Sequence, residues 1–256
     1  MLRLGSVNYE VRGKIAVLTL DEPDKLNALT AGIRAGILEG LKRADQDDGV
    51  RVTVITGAGG KAFCAGADIG NFDFKPEKAR AFFINAMDVL AAPERALKPV
   101  IAAVNGIAYG GGFELAIACD FIIAAERARF AVPEIKLGIL PGFAIVRLGD
   151  IVGRAKAKEM SMLGEPVSAD EACRLGIASR AVPDDRLLPE ALAFAERVAA
   201  QPRLAVQMAK SFYNRGLGGD EMRHAIDGFP FLLTHADARE GINAFSEKRK
   251  PRFGDN

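Results

Sequence analysis

Two glutamates in apolar surroundings are the residues of this chain best placed to move protons. Glu114 stands in Gly110-Gly111-Gly112-Phe113-Glu114-Leu115-Ala116-Ile117-Ala118-Cys119, where every residue around it is small or apolar. Glu134 lies twenty positions on, in Phe130-Ala131-Val132-Pro133-Glu134-Ile135-Lys136-Leu137-Gly138. Burial and a like neighbour both disfavour a charged carboxylate, raising its pKa toward the range where it works as a general acid or base. Three glycines in a row let the backbone come close to a ligand, because no Cβ stands in the way. The helix they open turns unpaired N–H groups back toward that ligand. Each glutamate also has a plainer reading: Glu114 as a first-turn acid complementing a helix dipole, Glu134 as a surface residue where Pro133 starts a helix. Carboxylates paired beside aimed N–H donors favour an acid–base site.

The elements that must position them read as an α/β layer structure. Val100 to Val104 is a short apolar run bounded by Pro99 and Asn105-Gly106, a buried strand by pattern. Val7 to Val11 and Lys14 to Leu20 flank Arg12-Gly13 as a hairpin. Thr30 caps a helix through Asp45, with Ile33, Ile37, Leu38 and Leu41 on one face. Strands are expected over Val50–Thr56 and Phe121–Ala125, with a helix from Pro76 to about Ala92 between them. The loop Lys61-Ala62-Phe63-Cys64-Ala65-Gly66-Ala67-Asp68-Ile69 is rich in small residues, and Gly66-Ala67 offers a further backbone N–H. From Arg186 on, Arg186–Gln201, Leu204–Asn214, Glu221–Leu233 and Asp237–Glu247 all have helical patterns. Apolar residues such as Phe229, Leu232 and Leu233 exceed what a surface helix needs, which points to subunit packing. No internal repeat is visible.

Composition narrows the function classes. The chain has 256 residues, 49% of them hydrophobic, enough for a large core. A net charge of +1 and the absence of Trp argue against nucleic acid or an anionic membrane as the main partner. Cys64, Cys119 and Cys173 are well separated, odd in number and without a Cys-x-x-Cys, which fits a reducing, cytoplasmic setting. His224 and His235 have no ligand spacing to any cysteine or carboxylate cluster, so no metal is expected. The start of the chain lacks the pattern of a signal peptide, and no run approaches a spanning helix.

Several blocks together resemble the enoyl-CoA hydratase/isomerase (crotonase) superfamily. They are Asp24-Lys25-Leu26-Asn27-Ala28-Leu29, Phe63 to Ile69, Lys98 to Asp120, Pro133-Glu134 with Leu137-Gly138, and the closing Arg239-Glu240-Gly241, Phe245 and Glu247 to Pro251. They cover nearly the whole chain, in order. The resemblance implies a spiral core of ββα turns over residues 1–185 and a helical trimerisation region over 186–256, assembled as a homotrimer or a hexamer built as a dimer of trimers. It implies that the N–H groups of Ala67 and Gly111 receive the thioester oxygen of an acyl-CoA. Glu134 would protonate C2, and Glu114 would hold and activate a water with help from the N–H of Gly142. Lys25, Leu26, Ala28, Ala65, Asp68 and Ile69 match the loops lining the CoA cleft, while Phe229 and Lys248 match positions that a neighbouring subunit contributes. No separate cofactor is needed, since coenzyme A is part of the substrate.

Retention of both glutamates leans the reading toward hydration, with isomerase, decarboxylase and hydrolase activities as family alternatives. One segment departs from the pattern. After Pro141-Gly142 the family has a glycine pair and two polar residues before Arg-Leu; here Phe143-Ala144-Ile145-Val146 is apolar and one residue shorter. Phe143 is therefore expected to line the acyl pocket and to favour a branched, cyclic or functionalised enoyl group. Two other classes compete. Gly57-Ala58-Gly59-Gly60-Lys61-Ala62 scans as a dinucleotide fingerprint, but Phe63-Cys64-Ala65-Gly66 does not continue as the helix such a motif opens. A non-catalytic acyl-CoA scaffold would have no use for two desolvated carboxylates.

Overall fold

The structure, a computed structural model, describes residues 1–71, 75–214, 233, 234 and 236–251. β1 (Leu2–Leu4), β2 (Val7–Arg12) and β3 (Ile15–Leu20) form an antiparallel meander. α1 (Ala31–Gln46) begins where expected, the Thr30 hydroxyl accepting from the Ile33 N–H. Between them, Leu26 and Asn27 both take positive φ. Fully buried Asn27 holds this turn: its Oδ1 accepts from the Glu22 N–H at 3.0 Å, and its Nδ2 donates to the carbonyls of Ala58 (2.9 Å) and Ala62 (3.0 Å).

From β4 (Val52–Gly57) onward the chain repeats one course. A strand enters a large sheet, a second short strand enters a small sheet, and a helix returns. β4 leads to β5 (Ala62–Cys64), then to α2 (Pro76–Leu90), close to the span expected for it, and to the short α3 (Ala92–Arg95). β6 (Val100–Val104) leads to β7 (Ile107–Tyr109) and α4 (Gly111–Ile117). β8 (Phe121–Ala125) leads to β9 (Arg129–Ala131), a 3-10 turn over Pro133–Leu137, then α5 (Ala144–Val152) and α6 (Arg154–Leu163). β10 (Val167–Ser168), α7 (Ala169–Arg174) and β11 (Arg180–Val182) close the course. The large sheet has the order β1-β2-β3-β4-β6-β8-β11, parallel from β3 on, and the small sheet β10-β9-β7-β5. This is the ββα spiral that the resemblance implies. The repeat is structural and leaves no trace as a repeated sequence.

Strands buried on both faces explain the continuous apolar runs. Alternate residues face two cores. Ala16, Leu18, Ile55, Ala102 and Ile122 join α1 residues Ile33, Ile37 and Leu41. Val17, Val54, Ile101, Ala103 and Ile123 join Leu187, Ala191, Ala195 and Ala199 of α8 (Leu187–Ala199), whose small side chains let it lie close on the sheet. The helices that follow are α9 (Arg203–Tyr213) and α10 (Ala236–Ser246), the latter resting on the 3-10 turn that carries Glu134. Leu233, expected at a subunit contact, is buried in the main core of its own chain. Leu232, Phe229 and both histidines lie outside the described residues. No described helix is long and apolar enough to cross a membrane.

Asn27 makes a test of this frame. Asn27→Ala removes three hydrogen bonds and takes this partner from the part-buried Glu22 N–H and Ala58 carbonyl, so it should cost about 2–4 kcal/mol of unfolding free energy. Urea denaturation of parent and variant measures it, with an unchanged midpoint refuting the assigned role.

Candidate active site

The turn after β7 is built to let groups approach. Gly110 has φ +51° and ψ −128°, and a Cβ there would meet Glu134 Oε1 at 2.8 Å. A Cβ on Gly112 would fall 1.9 Å from the Cys64 carbonyl oxygen. Glycine is thus required by conformation at the first position and by contact at the second. The same close packing brings the Gly111 backbone up against that of Ala67: a Cβ on Gly111 would lie 3.6 Å from Ala67 N. Ala67 is held by its β-bridge to Leu29. Neither N–H has an acceptor among the described residues. Two adjacent unpaired donors can stabilise a negative oxygen placed between them.

Both glutamates reach this place. Glu114, on α4, is buried, and its carboxylate meets the start of α5: Oε1 accepts from the Ala144 N–H at 2.9 Å, and the N–H groups of Phe143 and Gly142 also point at it. Burial pushes its pKa up to about 7, and those three N–H groups oppose the rise. Glu134 is half-buried as a residue, but its Oε2 is buried and has no hydrogen-bond partner among the described residues. Burial, then the Glu114 charge, hold Glu134 well above the usual carboxylate range. Of the two plainer readings, a surface Glu134 is therefore excluded. Among the described residues no group of three or more His, Cys, Asp and Glu is placed to hold a metal.

A cavity of about 490 Å³ joins these groups. Of the residues singled out from sequence, it is lined by Lys25, Leu26, Ala28, Ala65, Ala67, Asp68, Ile69, Gly111, Glu114, Glu134, Gly142 and Lys248. Lys248, following α10, lines the cavity from this same chain. Phe229 lies outside the described residues. Phe143 does not line the cavity: it is fully buried in the main core, because the segment offers its backbone N–H to Glu114 and turns its ring inward. The expectation of an unusual acyl group rested on that ring and falls with it.

The apolar wall comes instead from α2, through Phe82, Phe83, Ala86 and Leu90, and from Leu137, Ile139 and Leu140. A Cβ on Gly142 would meet Phe83 Cζ at 2.5 Å. The sequence showed this helix but not its part in the wall. Its signal was the spacing of Phe82, Phe83, Ala86 and Leu90 along one helical face, which looks the same as ordinary core packing. Phe245 and Ser246, at the end of α10, also line the cavity. The Gly57-to-Ala62 stretch runs into strand β5, so it is no dinucleotide fingerprint.

The comparisons agree with this geometry. The sequence profile of the enoyl-CoA hydratase/isomerase family matches residues 10–256. A crotonyl-CoA hydratase of Syntrophomonas wolfei is 40% identical over 253 residues, covering 97% of each chain. A short-chain-enoyl-CoA hydratase of Clostridium acetobutylicum is 36% identical, with 97% coverage of each. Among solved structures, a carnitinyl-CoA hydratase from Mycobacterium avium superposes with a TM-score of 0.88 at 36% identity, covering 98% of this chain and 99% of that one.

The raised pair fixes how stability responds to pH. From the ordinary value of 4.5 up to about 7, native Glu114 keeps a proton that the unfolded chain has released, and Glu134 is shifted the same way. Their contribution to stability is therefore present at low pH and is lost as pH rises through that window. Glu134→Gln removes one such carboxyl. At pH 8 it should melt at least about 2–4 °C above the parent, the shift that about 1 kcal/mol makes in a domain of this size. The gap should close toward pH 5. Calorimetry across pH checks this, and parallel parent and variant curves would contradict the buried pair.

Proposed function

The chain belongs to the enoyl-CoA hydratase/isomerase family, and we propose that it hydrates a 2-trans-enoyl-CoA to the 3-hydroxyacyl-CoA. The observation that carries this reading is the unequal treatment of the two carboxyls. Three N–H groups favour ionised Glu114, while Glu134 has one oxygen buried without a partner and the Glu114 charge beside it. At neutral pH such a pair supplies one base and one acid in a single cavity.

In the proposed course the thioester oxygen sits between the N–H groups of Ala67 and Gly111. Glu114, with the N–H of Gly142 beside it, holds a water and takes its proton as the oxygen bonds to C3. The C2–C3 electron pair moves toward the thioester, and the resulting enolate oxygen is met by the two N–H donors, each worth roughly 3 kcal/mol in such sites. Glu134 then delivers its proton to C2. The balance is one water added, after which a proton passes from Glu114 back to Glu134. Lys25, Leu26, Ala28, Ala65, Asp68, Ile69 and Lys248 are assigned to the CoA arm, on the support that all line the cavity. Coenzyme A enters as part of the substrate, and no separate cofactor takes part in these steps.

Residues 186–256 are read as the oligomerisation region of a homotrimer or hexamer. Its support is the pair Leu204 and Met208, one turn apart on α9 and 72% and 59% exposed. A cytoplasmic location is supported by three cysteines that remain free thiols.

Glu114→Gln and Glu134→Gln should each lower turnover of crotonyl-CoA by about 10²-fold or more, the range of general acid–base groups. Loss of the conjugated thioester absorbance follows the reaction, and isothermal titration should show that CoA thioesters still bind. Near-normal hydration by either variant would remove its role. Light scattering at micromolar concentration should give a trimer or hexamer, and a stable monomer would refute the assembly.

A further inference from the structure

Glu114 depends on the N–H groups of Gly142, Phe143 and Ala144, and these donors have an anchor of their own. The Arg147 N–H donates to the Phe143 carbonyl at 3.1 Å, closing the first turn of α5 behind them. The Arg147 guanidinium crosses to Glu94 of α3, with Nη2 2.6 Å from Oε1 and Nε 3.4 Å from Oε2. The two side chains are only 12% and 9% exposed. Asp150, 3.9 Å from the guanidinium and 77% exposed, is a weaker partner.

Glu94 is fixed in turn. Asn214 Nδ2 donates to its carbonyl at 3.0 Å, and Lys210 Nζ donates to the Pro93 carbonyl at 2.7 Å. Lys210 also pairs at 2.8 Å with Asp120, just beyond α4, the helix that bears Glu114. Neither Arg147 nor Glu94 lines the catalytic cavity. Glu94, Asp120 and Lys210 border a separate cavity of about 610 Å³. Exposed ion pairs fix little. A two-point Arg–carboxylate contact that is shielded and tied at both ends holds its helix in one geometry.

We propose that Arg147, clamped by Glu94, is a positioning residue that sets the first turn of α5 against Glu114. The inference rests on the hydration reading. Arg147 touches no reacting atom, and among the described residues the charge paired electrostatically with Glu114 is that of Glu134. The influence of Arg147 therefore runs through the backbone it anchors. Glu94 is itself a carboxyl pushed up by burial, so its titration must be separated from that of Glu114.

The experiment compares Arg147→Met, Arg147→Lys and Glu94→Gln with the parent. Arg147→Met should lower kcat about 10- to 100-fold, as a small misplacement of catalytic groups does. KM for crotonyl-CoA should stay within about threefold, since ground-state contacts are untouched. Looser donors favour ionised Glu114 less, so the acid limb of the kcat profile should move to higher pH. Arg147→Lys should recover part of both effects. Glu94→Gln should show the same shift in weaker form, and the limb it retains cannot come from Glu94. A second readout needs no turnover: the titration of Glu114 in the pH dependence of thermal stability should move upward in Arg147→Met. That arm stands even if hydration is not the reaction. If Arg147→Met does not fold, Arg147→Lys and Glu94→Gln carry the comparison. An acid limb that stays in place, with activity lost only in proportion to folded protein, overturns the proposal, as does a normal kcat in the folded variants.

Discussion

Two buried carboxyl groups facing one cavity resist carrying charge together, and much of the site follows from that. Desolvation raises both Glu114 and Glu134, and each ionised form opposes the other. Left symmetric, the pair would share one proton without direction. The start of α5 breaks the symmetry by giving three N–H groups to Glu114, while Glu134 keeps a bare oxygen. A direction for proton flow is thus written in backbone hydrogen bonds. In the proposed course, side chains supply the carboxyls, and the fold decides which is acid and which is base.

The spiral delivers these groups by a single device. β5, β7 and β9 are parallel neighbours in the small sheet, so their C-terminal ends lie together. Each is followed at once by a piece of the site: Ala65-Gly66-Ala67 after β5, Gly110-Gly111 after β7, and Pro133-Glu134 after β9. Sites at the carboxyl ends of parallel strands are a general outcome of such topology. Here three successive turns of the chain contribute one donor, another donor and an acid at adjacent strand ends. α4 then places Glu114 close by, because Gly112 packs directly on the backbone of Cys64.

How much of this was legible depends on the length of the signal. Strands β4, β6 and β8, helix α1 and the β2–β3 hairpin showed in the sequence because their periodic or apolar runs are long enough. β5, β7 and β9 have three residues each, too short for any pattern, although the site hangs from them. Glu114 and Glu134 could be found by residue type, since a lone acid in an apolar stretch is unusual. The Ala67 and Gly111 donors could be found through the small residues around them. The acyl wall could not, because a face of phenylalanine, alanine and leucine on a helix signals burial without saying what it is buried against.

Phe143 shows why position after a motif does not fix a role. The segment following Gly142 was expected to act through its side chains, but it offers its N–H groups to Glu114, while the Phe143 ring and the Ala144 methyl turn to the core and Ile145 faces outward. Gly142 alone faces both tasks: its N–H points at Glu114, and the space a side chain would fill is taken by Phe83 and Met87 of α2. In the proposed course, proton chemistry resides on α4, α5 and the turn of Glu134, while the shape of the acyl end resides on α2. The two meet at a glycine. A change on α2 can alter which acyl group fits without disturbing the carboxyls, whereas any side chain at 142 would push on the wall and on the Glu114 donors together. That junction constrains Gly142 from two sides, whereas Phe143 and Ala144 answer only to the core their side chains fill and to the N–H groups they present.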